Sequence, residues 1–285
     1  MTAGGLRLLV LTAAAMAGFA ANSLLCRAAL GAGRIDAASF TALRIVAGAA
    51  ALAAIVRGGR GRAVRAGGSW GSALALFAYA LAFSIAYLRI PAGVGALVLF
   101  GAVQATMIGW GLLCGERPTR REWLGLALAV GGLCVLSVRG LDAPDPEGVA
   151  LMAAAGAAWG VYSLRGRRAG SPLATTAGNF ARSVPLALGA CVLWFLRADL
   201  HLSPRGALLA VTSGAVTSGI CYSLWYAALP GLSATRAAIA QLSVPLLAAL
   251  GGVAFLGEAV TPRLVVSGGA ILGGVAIAML GRRRA

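Results

Sequence analysis

The sequence predicts an all-α integral membrane protein of ten transmembrane helices, arranged as two inverted five-helix repeats around a central cavity. Composition is the first ground: of 285 residues 60% are apolar, only 11% are charged, and mean hydropathy is +0.88. Such a chain has too little polar surface for a water-soluble domain. The second ground is a series of long apolar runs with charges gathered at their margins. The third is a motif series that occurs twice. Phe83-Ser84-Ile85-Ala86-Tyr87-Leu88-Arg89-Ile90-Pro91 is followed by an apolar segment and then by Gly115-Glu116, Arg121 and Gly131-Gly132. Tyr222-Ser223-Leu224-Trp225-Tyr226-Ala227-Ala228-Leu229-Pro230 is followed in the same order by Gly257-Glu258, Arg263 and Gly273-Gly274.

A helix needs about 20 apolar residues to cross a bilayer. Span 1 lies in 8–26, span 2 in 35–56, span 3 in 66–88, span 4 in 90–115 and span 5 in 123–138. Span 6 lies in 148–164 and span 7 in 169–196; the apolar stretch 206–257 is divided at Pro230-Gly231 into spans 8 and 9, and span 10 lies in 264–281. Spans 5 and 6 are short. Span 1 contains Ala17-Gly18-Phe19-Ala20, matched in span 6 by Trp159-Gly160-Val161-Tyr162 at an offset of 142 residues. It is therefore expected to be mature structure, although Ala13-Ala14-Ala15 resembles a cleavage site. Span 2 carries Arg44 and span 7 carries Arg182 inside their apolar runs. Gly93, Gly95 and Gly101 loosen span 4, and Pro245 removes a backbone hydrogen bond in span 9; Gly101 and Pro245 are candidate hinges for gating. Gly269 and Gly273 in span 10, with Ala127 and Gly131 in span 5, would let those two helices pack closely.

The repeats are residues 1–140 and 147–285, joined by an acidic, proline-rich linker at 141–146. Five spans is an odd number, so the second repeat enters the membrane in the opposite sense to the first. Inverted repeats place a substrate near the midplane and expose it to each side in turn by rocking one half against the other. With the N-terminus inside, 15 Arg residues fall on the cytoplasmic side and seven outside, whereas six of the eight acids fall outside. By the positive-inside rule both termini are cytoplasmic, in an inner membrane.

The formal charge of +16 does not form a basic stripe with interleaved aromatics, so no nucleic-acid partner is expected; the partners are the lipid bilayer and a small-molecule substrate. Five scattered Cys residues, without a CxxC pair or a nearby His, indicate neither a disulfide framework nor a metal site, and no cofactor motif is present. An enzyme would need an HExxH, a carboxylate pair within a span or a Gly-rich phosphate loop. His201 sits in an outer loop beside Asp199 as a solvated residue. A membrane-embedded hydrolase or acyltransferase is the alternative of a different class.

The order and spacing of Trp159-Gly160, Arg44, Arg182, Tyr87 to Pro91, Tyr226 to Pro230, Pro245 and the Gly-Glu turns at 115 and 257 resemble the drug/metabolite transporter superfamily, in its EamA-type branch of ten-helix exporters. The resemblance is closest to exporters of aromatic and other neutral amino acids. It implies cytoplasmic termini, a cavity between the halves and export by alternating access. Another small metabolite or a drug-like amphipath is the alternative substrate. The pattern departs in span 1, where Gly18 lacks a preceding Trp, and in span 4, where Val103 stands opposite Pro245.

Tyr79, Phe83 and Tyr87 are four apart and share a helix face, with Tyr222, Trp225 and Tyr226 on a similar face of span 8. They are either packing and interfacial residues or, for Tyr79, Phe83, Tyr222 and Trp159, the wall of a substrate cavity. Among the polar groups within spans, Asn22, Gln104, Asn179 and Gln241 either bond helix to helix or hold the ends of a zwitterion, for which Asn22 and Gln241 are the better placed. Arg44 and Arg182 either bind a carboxylate or pin helix ends through carbonyls, and the resemblance favours the pin. With no acid or His deep in a span, facilitated diffusion or exchange is expected rather than proton coupling.

Overall fold

The computed structural model describes residues 3–58, 67–90, 92–137, 145–197, 200–256 and 260–280. These form the ten helices expected: α1 (Ala3–Leu30), α2 (Ala37–Gly58), α3 (Trp70–Ala86), α4 (Ala92–Leu113), α5 (Arg120–Ser137), α6 (Pro146–Gly166), α7 (Pro172–Phe195), α8 (Pro204–Gly231), α9 (Ala234–Phe255) and α10 (Pro262–Leu280). Six of them, α1, α2, α4, α8, α9 and α10, are long and apolar enough to cross a membrane by length and composition alone. Pro91, residues 141–144 of the linker, the second Gly257-Glu258 pair and the Arg282-Arg283-Arg284 tail lie outside the described residues.

Local chemistry fixes where the helices start and stop. Asp36, Ser69, Asp145, Ser203 and Ser233 each accept a backbone N–H two or three residues ahead and so cap α2, α3, α6, α8 and α9. Pro follows the cap at α6 and α8, where its missing N–H costs nothing. Thr119 and Glu122 make a reciprocal capping box at α5: the Glu122 N–H donates to Thr119 Oγ1 (3.3 Å), and the Thr119 N–H to Glu122 Oε2 (2.7 Å). Gly115, at φ +82°, turns the chain out of α4 in a conformation a side chain would strain.

Packing reveals a pseudo-twofold arrangement. The contact of α3 with α6 has its counterpart in α8 with α1, that of α4 with α6 in α9 with α1, and that of α3 with α7 in α8 with α2. The remaining large contacts, α2 with α7 and α5 with α10, join equivalent helices directly. Every one of these runs between the repeats. Contacts within a repeat, such as α1 with α2 or α4 with α5, are small. The halves therefore interdigitate.

At the α5–α10 contact the small residues are shifted by one from those expected. Gly131 and Gly269 have open space where a Cβ would sit, Gly273 meets only the tip of Leu128, and Ala127 is exposed. The close face is instead Gly125, Ala129 and Gly132 against Ser267, Gly274 and Ala278. A helix face drifts by a fraction of a turn between repeats of the motif, so spacing without the partner helix could not fix it.

Two helices are irregular. Pro245 lacks the N–H that would bond the Gln241 carbonyl, and α9 breaks between Ala234–Gln241 and Ser243–Leu256. In α8 the residues Ser213–Ile220 form a π-helix that the sequence did not announce. Gly101, expected as a hinge, lies in unbroken helix on an exposed face, whereas Gly95 packs 3.1 Å, measured from a built Cβ, from Met152 of α6.

Candidate functional site

The six residues expected to bind substrate come together. Asn22 (α1), Tyr79 and Phe83 (α3), Trp159 (α6), Tyr222 (α8) and Gln241 (α9) all line one central cavity of about 30 Å³, with Phe19, Ser23, Leu99, Phe100 and Val244 completing the wall. Both repeats contribute. The aromatic rings form a continuous group: Trp159 lies 5.2 Å from Phe19, 4.9 Å from Tyr79, 5.5 Å from Tyr162 and 4.7 Å from Tyr222, centroid to centroid. Phe19 meets Trp159 edge to face, an arrangement the ring quadrupoles favour. In the sequence Phe19 belongs to the span 1 motif, and the equivalence of that motif to the Trp159 segment is the signal that points to it. Leu99, Phe100 and Val244 carry no such signal.

A second cavity of about 200 Å³ adjoins the first and shares Ser23, Phe83, Leu99, Phe100 and Val244 with it. Its other lining includes Arg27, Tyr87, Gly95, Ser137 and Pro245, near the ends of α1, α3, α4 and α5 on the face of the bundle that carries Arg89. The central cavity is thus separated from this vestibule by a few apolar side chains. Tyr87, four residues from Phe83, meets its ring at a tilt, 4.6 Å between centroids, and lines the vestibule.

Toward the opposite face, which carries Glu116, the closure is thicker. Trp159 Nε1 donates to Gln241 Oε1 at 2.5 Å, and Gln241 Nε2 donates to the Ala237 carbonyl at 3.1 Å and toward Met107 Sδ at 3.2 Å. Behind that bond the Tyr226 hydroxyl donates to the Tyr162 carbonyl, and Trp225 Nε1 to Ser163 Oγ. Ion pairs complete the seal: Arg167 with Glu116 at 2.8 Å, Arg236 with Glu122 at 2.8 Å, and Glu116 also accepting the Ala234 N–H at the start of α9. Clefts of about 580 Å³ and 390 Å³ indent this face, but neither shares a residue with the central cavity.

On the Arg89 face the ties are exposed. Arg89 pairs with Asp145 at 3.1 Å and with Glu147 at 3.0 Å, and its guanidinium beside Asp145 holds that carboxyl below the usual carboxylate range. The exposed His201 serves through its backbone, donating its N–H to Asp36 Oδ2 and accepting the Asp36 N–H.

The polar candidates are already engaged. Asn22 Oδ1 accepts from Ser213 Oγ (2.6 Å) and Thr217 Oγ1 (3.1 Å), both in the π-helix. Asn179 Oδ1 accepts the Ser69 N–H at 3.0 Å, and Gln104 Nε2 donates to the Ala238 carbonyl at 2.8 Å, leaving Gln104 Oε1 without a partner among the described residues. Gln241 is the hydrogen-bond partner of Trp159.

Arg44 and Arg182, equivalent in the repeats, do different things. Arg182 Nη1 donates to the carbonyls of Gly67 and Gly178, both at 2.9 Å, and so holds the segment before α3 against α7. Arg44 is 1% exposed and donates to hydroxyls: Nε to Ser218 Oγ (2.9 Å), Nη2 to Tyr222 (2.6 Å) and to Tyr79 (3.5 Å). Its Nη1 has no partner among the described residues. The approach is possible because residue 214 is Gly: a Cβ there would lie 2.1 Å from the Arg44 carbonyl oxygen.

Comparison with known proteins agrees with this architecture. Residues 146–280, which span α6 to α10, match the EamA-like transporter family. An uncharacterized protein of Pseudomonas aeruginosa is 51% identical over 276 residues, 97% of this chain and 96% of that protein. The threonine/homoserine exporter RhtA of Escherichia coli K12 is 32% identical over 200 residues, 67% of this chain and 63% of its own. A solved crystal structure superposes with a TM-score of 0.80 at 22% identity, covering 98% of this chain and 99% of the other. The chain belongs to the EamA-like transporter family: it is a multi-pass membrane transporter of ten helices in inverted repeats, and not an enzyme.

Proposed function

We propose that the protein exports neutral amino acids, aromatic ones included, by alternating access across the inner membrane, with both termini cytoplasmic. The observation that carries this reading is the cavity at which Asn22, Tyr79, Phe83, Trp159, Tyr222 and Gln241 meet between the repeats. The name of the related RhtA supports an amino-acid cargo, and the aromatic wall suits a planar or branched side chain. In this orientation the Arg89 face is periplasmic and the Glu116 face cytoplasmic.

A cavity of about 30 Å³ holds a water or so, far below the several hundred Å³ of an ordinary ligand site. The loaded state therefore needs Phe83, Leu99, Phe100 or Val244 to withdraw, merging the cavity with the vestibule. Loading from the cytoplasm needs the Trp159–Gln241 bond to open. Because the repeats interdigitate, the moving parts are not residues 1–140 against 147–285 as two rigid blocks. The breaks at Leu242 in α9 and at 213–220 in α8 flank the cavity and give the local freedom that such gating uses.

Energy comes from the substrate's own gradient. The described acids lie at span margins, and the only His, His201, lies in a loop. The test is uptake of a labelled amino-acid panel into proteoliposomes without an ion gradient, followed by a pH step of either sign. Saturable equilibration unaffected by the step is expected. Accumulation above equilibrium after the step, beyond what the charge of the substrate explains, would show proton coupling.

A further inference from the structure

Around Arg44 the described residues leave hydrogen-bond donors without acceptors. Arg44 is fully buried, carries a permanent charge, and has no acid within ion-pair distance among those residues. Its Nη1 is unpartnered. Nη2 uses the oxygens of Tyr222 and Tyr79 as acceptors, which leaves two phenolic O–H groups to find acceptors of their own. Tyr222 meets the Tyr79 oxygen at 3.5 Å, at the limit of a hydrogen bond, and the Ser218 hydroxyl, which itself accepts from Arg44 Nε; Tyr79 donates to no described residue. Both phenols line the central cavity, and the Arg44 guanidinium lies directly behind them, 5.4 Å from the Tyr79 ring centroid.

Burying an unpaired guanidinium at membrane depth is costly, and removing its last N–H groups from any acceptor adds to that cost. A helix pin relieves the cost through carbonyls, as Arg182 does with Gly67 and Gly178. Arg44 donates instead to the hydroxyls of Ser218, Tyr222 and Tyr79. What the cluster lacks is an anion with two acceptor oxygens. We infer that Arg44, with the hydroxyls of Tyr79 and Tyr222, is the carboxylate-recognition site of the transporter, so that the cargo must carry a carboxylate while its side chain lies against Trp159, Phe83 and Phe19. This rests on the amino-acid reading above and names the group that selects the cargo.

The test compares phenylalanine, 3-phenylpropionate, which lacks the amino group, and phenethylamine, which lacks the carboxylate. Their binding is read from thermal stabilisation of the purified protein. Phenylalanine and 3-phenylpropionate should both stabilise the wild type, and phenethylamine should bind roughly 10- to 100-fold more weakly, the range expected for one charge-assisted hydrogen-bonded contact. Arg44→Gln should erase that preference, Arg44→Lys should restore part of it, and Arg182→Gln should leave the ratio unchanged at any stability. Should Arg44→Gln fail to fold, the wild-type series decides alone. Equal binding of the amine and the amino acid, or no binding of 3-phenylpropionate, overturns the inference. If 3-phenylpropionate binds as expected but wild-type proteoliposomes pass no amino acid, the export reading fails and the anion site stands. If amino acids pass and phenethylamine competes equally, only this inference fails.

Discussion

Trp159 shows how one side chain can be cavity wall and hydrogen-bond donor at once. Its ring touches four other rings and its Nε1 is bonded to Gln241, all at 5% exposure. Trp159→Ala should cost about 3–5 kcal/mol through the void it leaves, so its transport defect would be mixed with lost stability. Trp159→Phe keeps most of the packing and removes one hydrogen bond, at about 1 kcal/mol plus the penalty of an unpaired Gln241 oxygen. That variant should open the Glu116 face more often, seen as faster maleimide labelling of a Cys placed at Met107. Labelling at the wild-type rate would mean the bond does not gate. Residue identity alone could indicate the aromatic wall, because the spacing of Tyr79 and Phe83 and the duplicated motif both lie in the sequence. It could not separate Arg44 from Arg182, since both are an Arg inside an apolar run. Their difference arises from what α8 and residue 67 bring to them in space.

At the scale of elements, the α5–α10 contact offers a paired test. A Cβ on Gly274 would sit 2.5 Å from the Gly125 carbonyl oxygen, whereas one on Gly269 meets nothing within 4 Å. Gly274→Val should therefore destabilise the protein by about 1–3 kcal/mol or more through overpacking, and Gly269→Val should leave it within about 0.5 kcal/mol of wild type. Thermal unfolding in detergent checks both, and equal effects would place the contact on the wrong face. The ion pairs give another contrast. Arg236 and Glu122, at 14% and 8% side-chain exposure, are the protected pair, and Arg89 with Asp145, at 40% and 35%, is the exposed one. Arg236→Met should cost about 1–3 kcal/mol because it strands Glu122, while Arg89→Met should cost under about 1 kcal/mol. The ten helices could be read from hydropathy because a bilayer imposes a length on each. The π-helix in α8 could not, since the two Gly, two Ser and one Thr of Ser213–Ile220 mark a weak stretch of helix without saying which irregularity it takes; Arg44 and Asn22 bond to it in the fold.

For the whole molecule, the duplicated motif correctly implied inverted repeats, but sequence repetition says nothing about which helices touch. The large contacts run between repeats, α2 with α7 and α5 with α10 among them, so the central cavity is a shared product of both halves. Neither half could enclose it alone. The most direct test of the account is to fill that cavity. Leu99 lines both the central cavity and the vestibule at 8% exposure. Counterflow of labelled phenylalanine and threonine is measured in proteoliposomes carrying wild type or Leu99→Trp, each shown to be folded by its melting temperature. The account predicts exchange through the wild type and its loss, by tenfold or more, in the filled variant; exchange through folded Leu99→Trp at the wild-type rate would contradict a transport route through this cavity.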